Sequence, residues 1–209
     1  MAEPTYGVVL AGGLSRRMGG GDKTLRTIGG KTILGRVIGA LAPQCSGLLL
    51  NANGDPGRFA SFGLPVVADG VPGFAGPLAG VLAGLEWLAD NDPAICWAVS
   101  VAGDTPFVPA DLVARLQLAR TTTGARIASA VSGGRTHPVI GLWPVSLRHD
   151  LRVYLVDEGQ HRVGGFAARY PGAETEWPIV PYDPFFNANA PEDIDEAEAI
   201  ARRAGAPGS

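Results

Sequence analysis

With 209 residues, 46% of them hydrophobic and only 18% charged, the chain can bury a substantial core and builds much of its surface from 30 glycines and 17 prolines. A formal net charge of -3 argues against bulk nucleic-acid binding, and no run of 18 apolar residues exists to cross a membrane. Cys45 and Cys96 lie far apart without metal-ligand spacing and read as core thiols of a reducing, cytoplasmic compartment. The early Glu3 and Pro4, and a first apolar run that ends quickly in glycines, do not resemble a secretory leader.

The pattern in chain order is that of alternating strands and helices. YGVVLAGG reads as a buried parallel strand ended by Gly12 and Gly13. KTILGRVIGALAPQ predicts a helix with Ile33, Leu34, Val37, Ile38 and Leu41 on its apolar face, stopped by Pro43. GLLLNAN and LPVVADG predict two strands that leave through Asn51 and Asn53 and through Asp69. GPLAGVLAGLEWLAD predicts a helix opening at Gly76 and Pro77, with Ala79, Gly80, Ala83 and Gly84 permitting close approach to a sheet. ICWAVSVAGD is the most apolar strand, is expected at the centre, and ends on Asp104.

TPFVPADLVARLQLAR predicts a helix with Pro109 at its start. RIASAVSGG and HPVIGLWP form a predicted hairpin through SGGR. SLRHDLRVYLVDEG and VGGFAARY read as helical, EWPIVP as a short strand, and PEDIDEAEAIARR as a late helix with acids at its N-terminal end. The whole predicts a Rossmann-like, doubly wound three-layer α/β sandwich with a mostly parallel, mixed sheet. No linker or repeat divides it, so one domain over residues 1–209 is expected.

Charge is unevenly placed. Leu14 to Arg36 holds six basic residues and one acid, Asp22, whereas Asp183 to Glu198 holds six acids and no base. That asymmetry suits an anionic small ligand near the N-terminus. GGKT is not the end of a Walker A loop, because Leu25 stands where the leading glycine is needed. The glycines of GGLSRRMGGG also miss the dinucleotide spacing, which disfavours a nicotinamide enzyme. What remains is a strand, a glycine pair that admits a ligand close to the backbone, and Arg16, Arg17 and Lys23 to neutralise phosphates.

Asp104, at the carboxyl end of a predicted strand, where open α/β sheets bind ligands, supplies a carboxylate opposite that loop of the kind Mg²⁺ needs to sit between protein and polyphosphate. The competing reading has Asp104 cap the following helix. Asn51, Asn53 and Asp69 end neighbouring strands and suit a base or ribose, or plain turn chemistry. His137, without cysteine or histidine neighbours at ligand spacing, reads as structural. Asn187 and Asn189, two apart in FFNANAPED, face one side of an extended segment and can reach a metal-bound phosphate or its water shell.

LAGGLSRRMGGGDK, GPLAG, VAGDTPFVP, RTHPVIGLW and FFNANAPED together resemble the molybdenum cofactor guanylyltransferases, from about Val8 to about Glu192. The resemblance implies a nucleotide-diphospho-sugar transferase type of fold and an Mg²⁺-dependent transfer of GMP from GTP to Mo-molybdopterin. It implies nucleotide contacts at Leu10, Ala11, Gly12, Gly13, Lys23, Asn51, Asp69 and Asp104. It also implies Arg16 as the loop arginine, the metal on Asp104, and Asn187 and Asn189 on the molybdopterin side. Molybdenum-insertion proteins and molybdoenzyme chaperones are the implied protein partners. A cytidylyltransferase using CTP, which tends to carry LAAG where this chain has LAGG, a sugar-1-phosphate nucleotidyltransferase, and a non-catalytic GTP-binding delivery protein are the rival readings.

Overall fold

A computed structural model describes residues 3–12, 23–71, 76–188 and 191–205. Gly13, Arg16, Arg17 and Asn189, all singled out in the sequence, lie outside the described residues.

The expected alternation is present. Strand β1 (Thr5–Leu10) is followed by a small hairpin, β2 (Thr27–Ile28) and β3 (Lys31–Thr32), and by helix α1 (Ile33–Leu41). The GGKT stretch is therefore the turn and second strand of a hairpin. Thr32 opens α1, its Oγ1 accepting from Gly35 N, and Ile33, Leu34, Val37 and Leu41 are buried along one face. Then come β4 (Gly47–Asn51), β5 (Val66–Val67), α2 (Pro77–Asn91), β6 (Trp97–Ala102) and α3 (Leu112–Thr123). The chain continues through β7 (Ile127–Ser132), β8 (Arg135–Pro144), α4 (Arg148–Arg152), α5 (Val163–Ala167), β9 (Gly172–Trp177) and α6 (Pro191–Gly205).

Seven strands form one sheet in the order β5-β4-β1-β6-β8-β7-β9. β5, β4, β1 and β6 pair in parallel, as do β7 and β9, whereas β8 is antiparallel to both of its neighbours. The sheet is thus mostly parallel and mixed, with β6 in the fourth of seven places, as its composition predicted. Successive residues of β1 serve opposite faces. Val9 packs with Leu34, Val37, Leu112 and Leu116 of α1 and α3. Val8 packs with Leu78, Leu82, Leu151 and Phe166 of α2, α4 and α5. These are the three layers. A smaller cluster joins Ile28 and Ile33 to Ala197 and Ile200 of α6.

Four expectations are corrected. α3 begins at Leu112, and Pro109 precedes it, its carbonyl accepting from Leu112 N. The last strand is Gly172–Trp177, which stops where Pro178 has no N–H to offer the ladder, leaving Val180 79% exposed. β6 ends at Ala102, so Asp104 belongs to the turn beyond it. Cys45 is half-buried, and burial pushes its thiol up to about 12, but Cys96 is exposed ahead of β6 rather than in the core.

One irregularity shapes the cleft edge of the sheet. Along β8, Ser129 of β7 faces Gly141 while its neighbour Ala130 faces His137, so Pro138, Val139 and Ile140 have no partner on β7. The β6–β8 ladder likewise stops at Ser100 and Gly141. Pro138 cannot donate a ladder hydrogen bond, which explains why the bulge falls here. Ser100 holds it: its hydroxyl donates to Val139 O at 2.5 Å and accepts from Trp143 Nε1 at 2.8 Å. Ser100→Ala removes the partner of the carbonyl of half-buried Val139 and of the buried Trp143 indole N–H, and urea unfolding is expected to show a loss of about 2 kcal/mol.

Candidate active site

The site grows from strand register. Leu10 of β1 lies opposite Asn51 of β4 on one side and Ala102 of β6 on the other. Three parallel strands therefore release their chains at one level, where open α/β sheets bind ligands. The exits are tied together: Ala11 N donates to Asn51 O at 2.9 Å, Gly103 N to Leu10 O at 2.9 Å, and Ala52 N to Val67 O at 3.0 Å. Above them opens a cleft of about 860 Å³, whose walls include Leu10, Gly12, Lys23, Asn51, Asp69 and Asp104. Ala11 and Asn187 also line it. Every predicted site residue within the described regions faces this one cleft.

At one end Asp69 is gripped by both asparagines. Asn51 Nδ2 reaches Asp69 Oδ1 at 2.9 Å and Val67 O at 3.1 Å. Asn53 Nδ2 reaches Asp69 Oδ2 at 2.7 Å, and Asp69 N donates back to Asn53 Oδ1 at 2.9 Å. Arg58 Nη2 donates to Asn53 O at 2.6 Å, steadying the loop from behind. With each oxygen accepting from an amide, the Asp69 carboxylate has a set orientation. Asn51 and Asn53 thus both bond the one carboxylate.

At the other end, Lys23 Nζ pairs with Asp104 Oδ2 at 2.5 Å, the side chains being 19% and 13% exposed. Asp104 Oδ1 is buried and, among the described residues, without a hydrogen-bond partner. Asp104 does not cap α3, whose N-cap is Asp111. A buried carboxylate oxygen left unsatisfied is an arrangement that needs a reason. The first helical turn of α2, at Gly76 and Pro77, also borders the cleft and brings the positive end of that helix to it.

Magnesium fits this donor set. Mg²⁺ is commonly held by one or two carboxylates together with substrate phosphates rather than by an all-protein cage. Among the described residues no group of three or more His, Cys, Asp or Glu could hold a metal alone, and Asp104 offers one uncommitted, pre-oriented oxygen.

Sequence reasoning missed several supporting residues. Thr105 is fully buried and donates from Oγ1 to Asn187 Oδ1 at 2.8 Å, while Ala188 N donates to Asp104 O at 3.0 Å. The late segment is thereby brought to the cleft, although it is more than 80 residues away in sequence. Ser132 and Asp183 were also passed over, although DPF carried an Asx-turn signal. His137 stands in a structural network, as expected: its Nε2 lies 2.7 Å from Ser132 Oγ and its ring packs on Phe185. Burial holds its imidazole below the ordinary range, Asp183 opposing that shift and Arg135 adding to it.

Two glycines differ in what they permit. A Cβ on Gly80 would fall on Asn51 Oδ1 and lie 2.8 Å from Leu10 Cδ2, so α2 reaches the strand ends only because that position is bare. A Cβ on Gly12 would meet atoms of the described residues no nearer than 3.7 Å, so those residues do not require glycine there.

A family model described as the MobA-like NTP transferase domain matches residues 7–170. The molybdenum cofactor guanylyltransferase of Rhodopseudomonas palustris (strain BisB5) is 61% identical over 199 residues, covering 95% of each chain. That of Bradyrhizobium sp. (strain ORS 278) is 62% identical over 195 residues, 93% of this chain and 92% of the other. Among solved structures, molybdopterin-guanine dinucleotide biosynthesis protein A of Archaeoglobus fulgidus superposes with a TM-score of 0.70 at 21% identity, covering 95% of this chain and 99% of that one. That likeness bears on the fold, which is of the nucleotide-diphospho-sugar transferase type.

The Gly80→Ala variant is expected to push Asn51 off Asp69, lowering stability by about 1–3 kcal/mol and weakening nucleotide binding about tenfold by calorimetric titration. Unchanged binding would mean that Asn51 is not held for the ligand.

Proposed function

The chain belongs to the MobA-like NTP transferase family, and on that premise we propose that it transfers GMP from GTP to the terminal phosphate of Mo-molybdopterin. An oxygen of that phosphate attacks the α-phosphorus of GTP. The bond from the α-phosphorus to the oxygen bridging to the β-phosphorus breaks, pyrophosphate leaves with that oxygen, and a phosphoanhydride forms. The attacking group is already an anion, so no activated serine or strong base is required. Alignment and charge neutralisation carry the rate.

The observation that carries the reading is the pairing of Lys23 with Asp104 Oδ2 while Asp104 Oδ1 stays buried and uncommitted in the same cleft. Lys23 offsets phosphate charge, and Arg16 is assigned to the same task from the family resemblance. Leu10, Ala11, Gly12 and Gly13 give backbone contacts, and Asn51 and Asp69 hold the base and ribose end. A divalent cation, Mg²⁺ in this proposal, would be held by Asp104 and supply further charge neutralisation on the phosphates.

Asn187 and Asn189 are assigned to the pterin side. Support comes from the bonds that join Asn187 and Ala188 to Thr105 and Asp104. We extend the reading to one nucleotidyltransferase domain over residues 1–209, supported by the packing of α6 on Ile28 and Ile33. A cytoplasmic setting, with molybdenum-insertion proteins and molybdoenzyme chaperones as partners, belongs to the same proposal. Among the described residues no helix is long and apolar enough to cross a membrane.

Pyrophosphate release with GTP, CTP or ATP, each with and without molybdopterin, tests the whole reading. Release with GTP only when molybdopterin is present is expected. Release with CTP instead would make the chain a cytidylyltransferase, and GTP binding without release would make it a delivery protein. Asp104→Asn is expected to keep its thermal midpoint within a few degrees yet lose at least about 100-fold in kcat; turnover near wild type at low Mg²⁺ would remove Asp104 from its role. Gly12→Ala is expected to leave the thermal midpoint unchanged, since the described residues leave room for the methyl, but to lower kcat/KM for GTP about tenfold relative to CTP. Equal losses for both nucleotides would dissociate Gly12 from base choice.

A further inference from the structure

Asp183, Ser132 and His137 form a hydrogen-bonded chain beside the cleft that the phosphate-binding end does not use. Ser132, at the end of β7, is 2% exposed. Its hydroxyl donates to Asp183 Oδ1 at 2.8 Å and lies 2.7 Å from His137 Nε2. A hydroxyl has one proton. With that proton directed to Asp183, Ser132 must accept from His137, which fixes the proton of the neutral ring on Nε2.

The same carboxylate oxygen accepts from Phe185 N at 2.9 Å, while Phe186 N donates to Asp183 O at 3.2 Å. Asp183 therefore closes the turn that begins the late segment. Phe185 is then locked between rings, 5.0 Å from His137 and edge-on to Trp177 at 5.3 Å. At the far end, Ala188 N donates to Asp104 O and Thr105 Oγ1 to Asn187 Oδ1. The segment is held at both ends, and exposed Asn187, itself part of the far anchor through Thr105, lines the cleft.

We infer that Ser132, acting through Asp183, is a positioning residue for the acceptor substrate, setting where Asn187 stands relative to Asp104. This rests on the proposed assignment of Asn187 to the pterin side. The pairing of β7 runs through its backbone; what the Ser132 hydroxyl adds is two side-chain bonds, one to His137 and one to the late segment.

Two disruptive variants test it, Ser132→Ala in the strand and Asp183→Ala in the half-buried turn, with Asp183→Asn as the conservative control because its amide oxygen can still accept from both donors. Hydrogen–deuterium exchange at Phe185 and Ala188 is expected to quicken at least about tenfold in both alanine variants, with β1 and α2 unaffected. KM for GTP is expected to stay within about twofold while kcat with molybdopterin falls about tenfold, and Asp183→Asn is expected to restore both. Unchanged exchange in the alanine variants overturns the inference, as does quickened exchange with wild-type kcat. Should Ser132→Ala fail to fold, Asp183→Ala and its control decide the matter. Absence of any transfer to molybdopterin by the wild type would instead overturn the proposed function, and the exchange measurements would still decide whether Ser132 anchors the segment.

Discussion

Leu10 stands in one row with Asn51 and Ala102 across three parallel strands, and the polar chemistry of the molecule hangs from that row. Parallel pairing makes the three chains leave the sheet in the same direction at the same height. Their next residues then meet above the sheet edge: Ala11 and Gly12 after β1, Ala52 and Asn53 after β4, and Gly103 and Asp104 after β6. A one-residue slip in either ladder would exchange the faces of every side chain beyond it. The buried valines and leucines of β1 and β4, packed between two layers of helices, hold the register against that slip.

Beside this row the sheet comes apart. β6 stays parallel to β1 through Ala102 but loses β8 after Ser100, because the reversed strand bulges at Pro138. The gap is occupied by chain that arrives late, residues 183–188, bonded to Asp104 and Thr105 on one side and to Ser132 on the other. The cleft therefore has two kinds of wall. The first is built from consecutive strand ends of the first half of the chain. The second is a short segment held by buried hydrogen bonds, where each lost bond leaves an unsatisfied group behind. In the proposed function the first wall would hold the nucleotide donor and the second would bring the acceptor.

The electrostatics follow the same division. Asp69 is oriented by two neutral amides, one on each carboxylate oxygen. Asp104 is paired through one oxygen and uncommitted through the other. Two strand-end carboxylates of one sheet thus have distinct environments, and the difference arises from their neighbours rather than from their own chemistry.

Much of this was legible in the sequence. Apolar runs ending in glycine or a short polar residue marked β1, β4 and β6, because a buried parallel strand must be apolar along its length and must turn where it meets solvent. The bare positions of GPLAG and AGLE marked a helix that lies close to a sheet. Gly12, Lys23, Asn51, Asp69 and Asp104 could be chosen because short polar and basic residues at strand exits are local signals. The errors were local too. Pro109 resembled a helix start, and EWPIVP resembled a strand, although Pro178 and Pro181 removed the donors that a ladder needs. Composition alone placed Cys96 inside, while its position ahead of β6 left it exposed.

By itself the sequence determined the elements, the three layers and the chemical kinds of residue that end the strands, since these depend on periodicity and on each residue's own propensities. Only the tertiary structure decided which of those residues act together. That Asn51 and Asn53 both serve Asp69, that Lys23 meets Asp104 across 81 positions, and that Ser132 steadies a segment 51 positions later depend on strand order and on a bulge in a reversed strand. Hydrogen bonds are short and directional, so no pattern along the chain could specify partners that only the folded sheet brings within 3 Å.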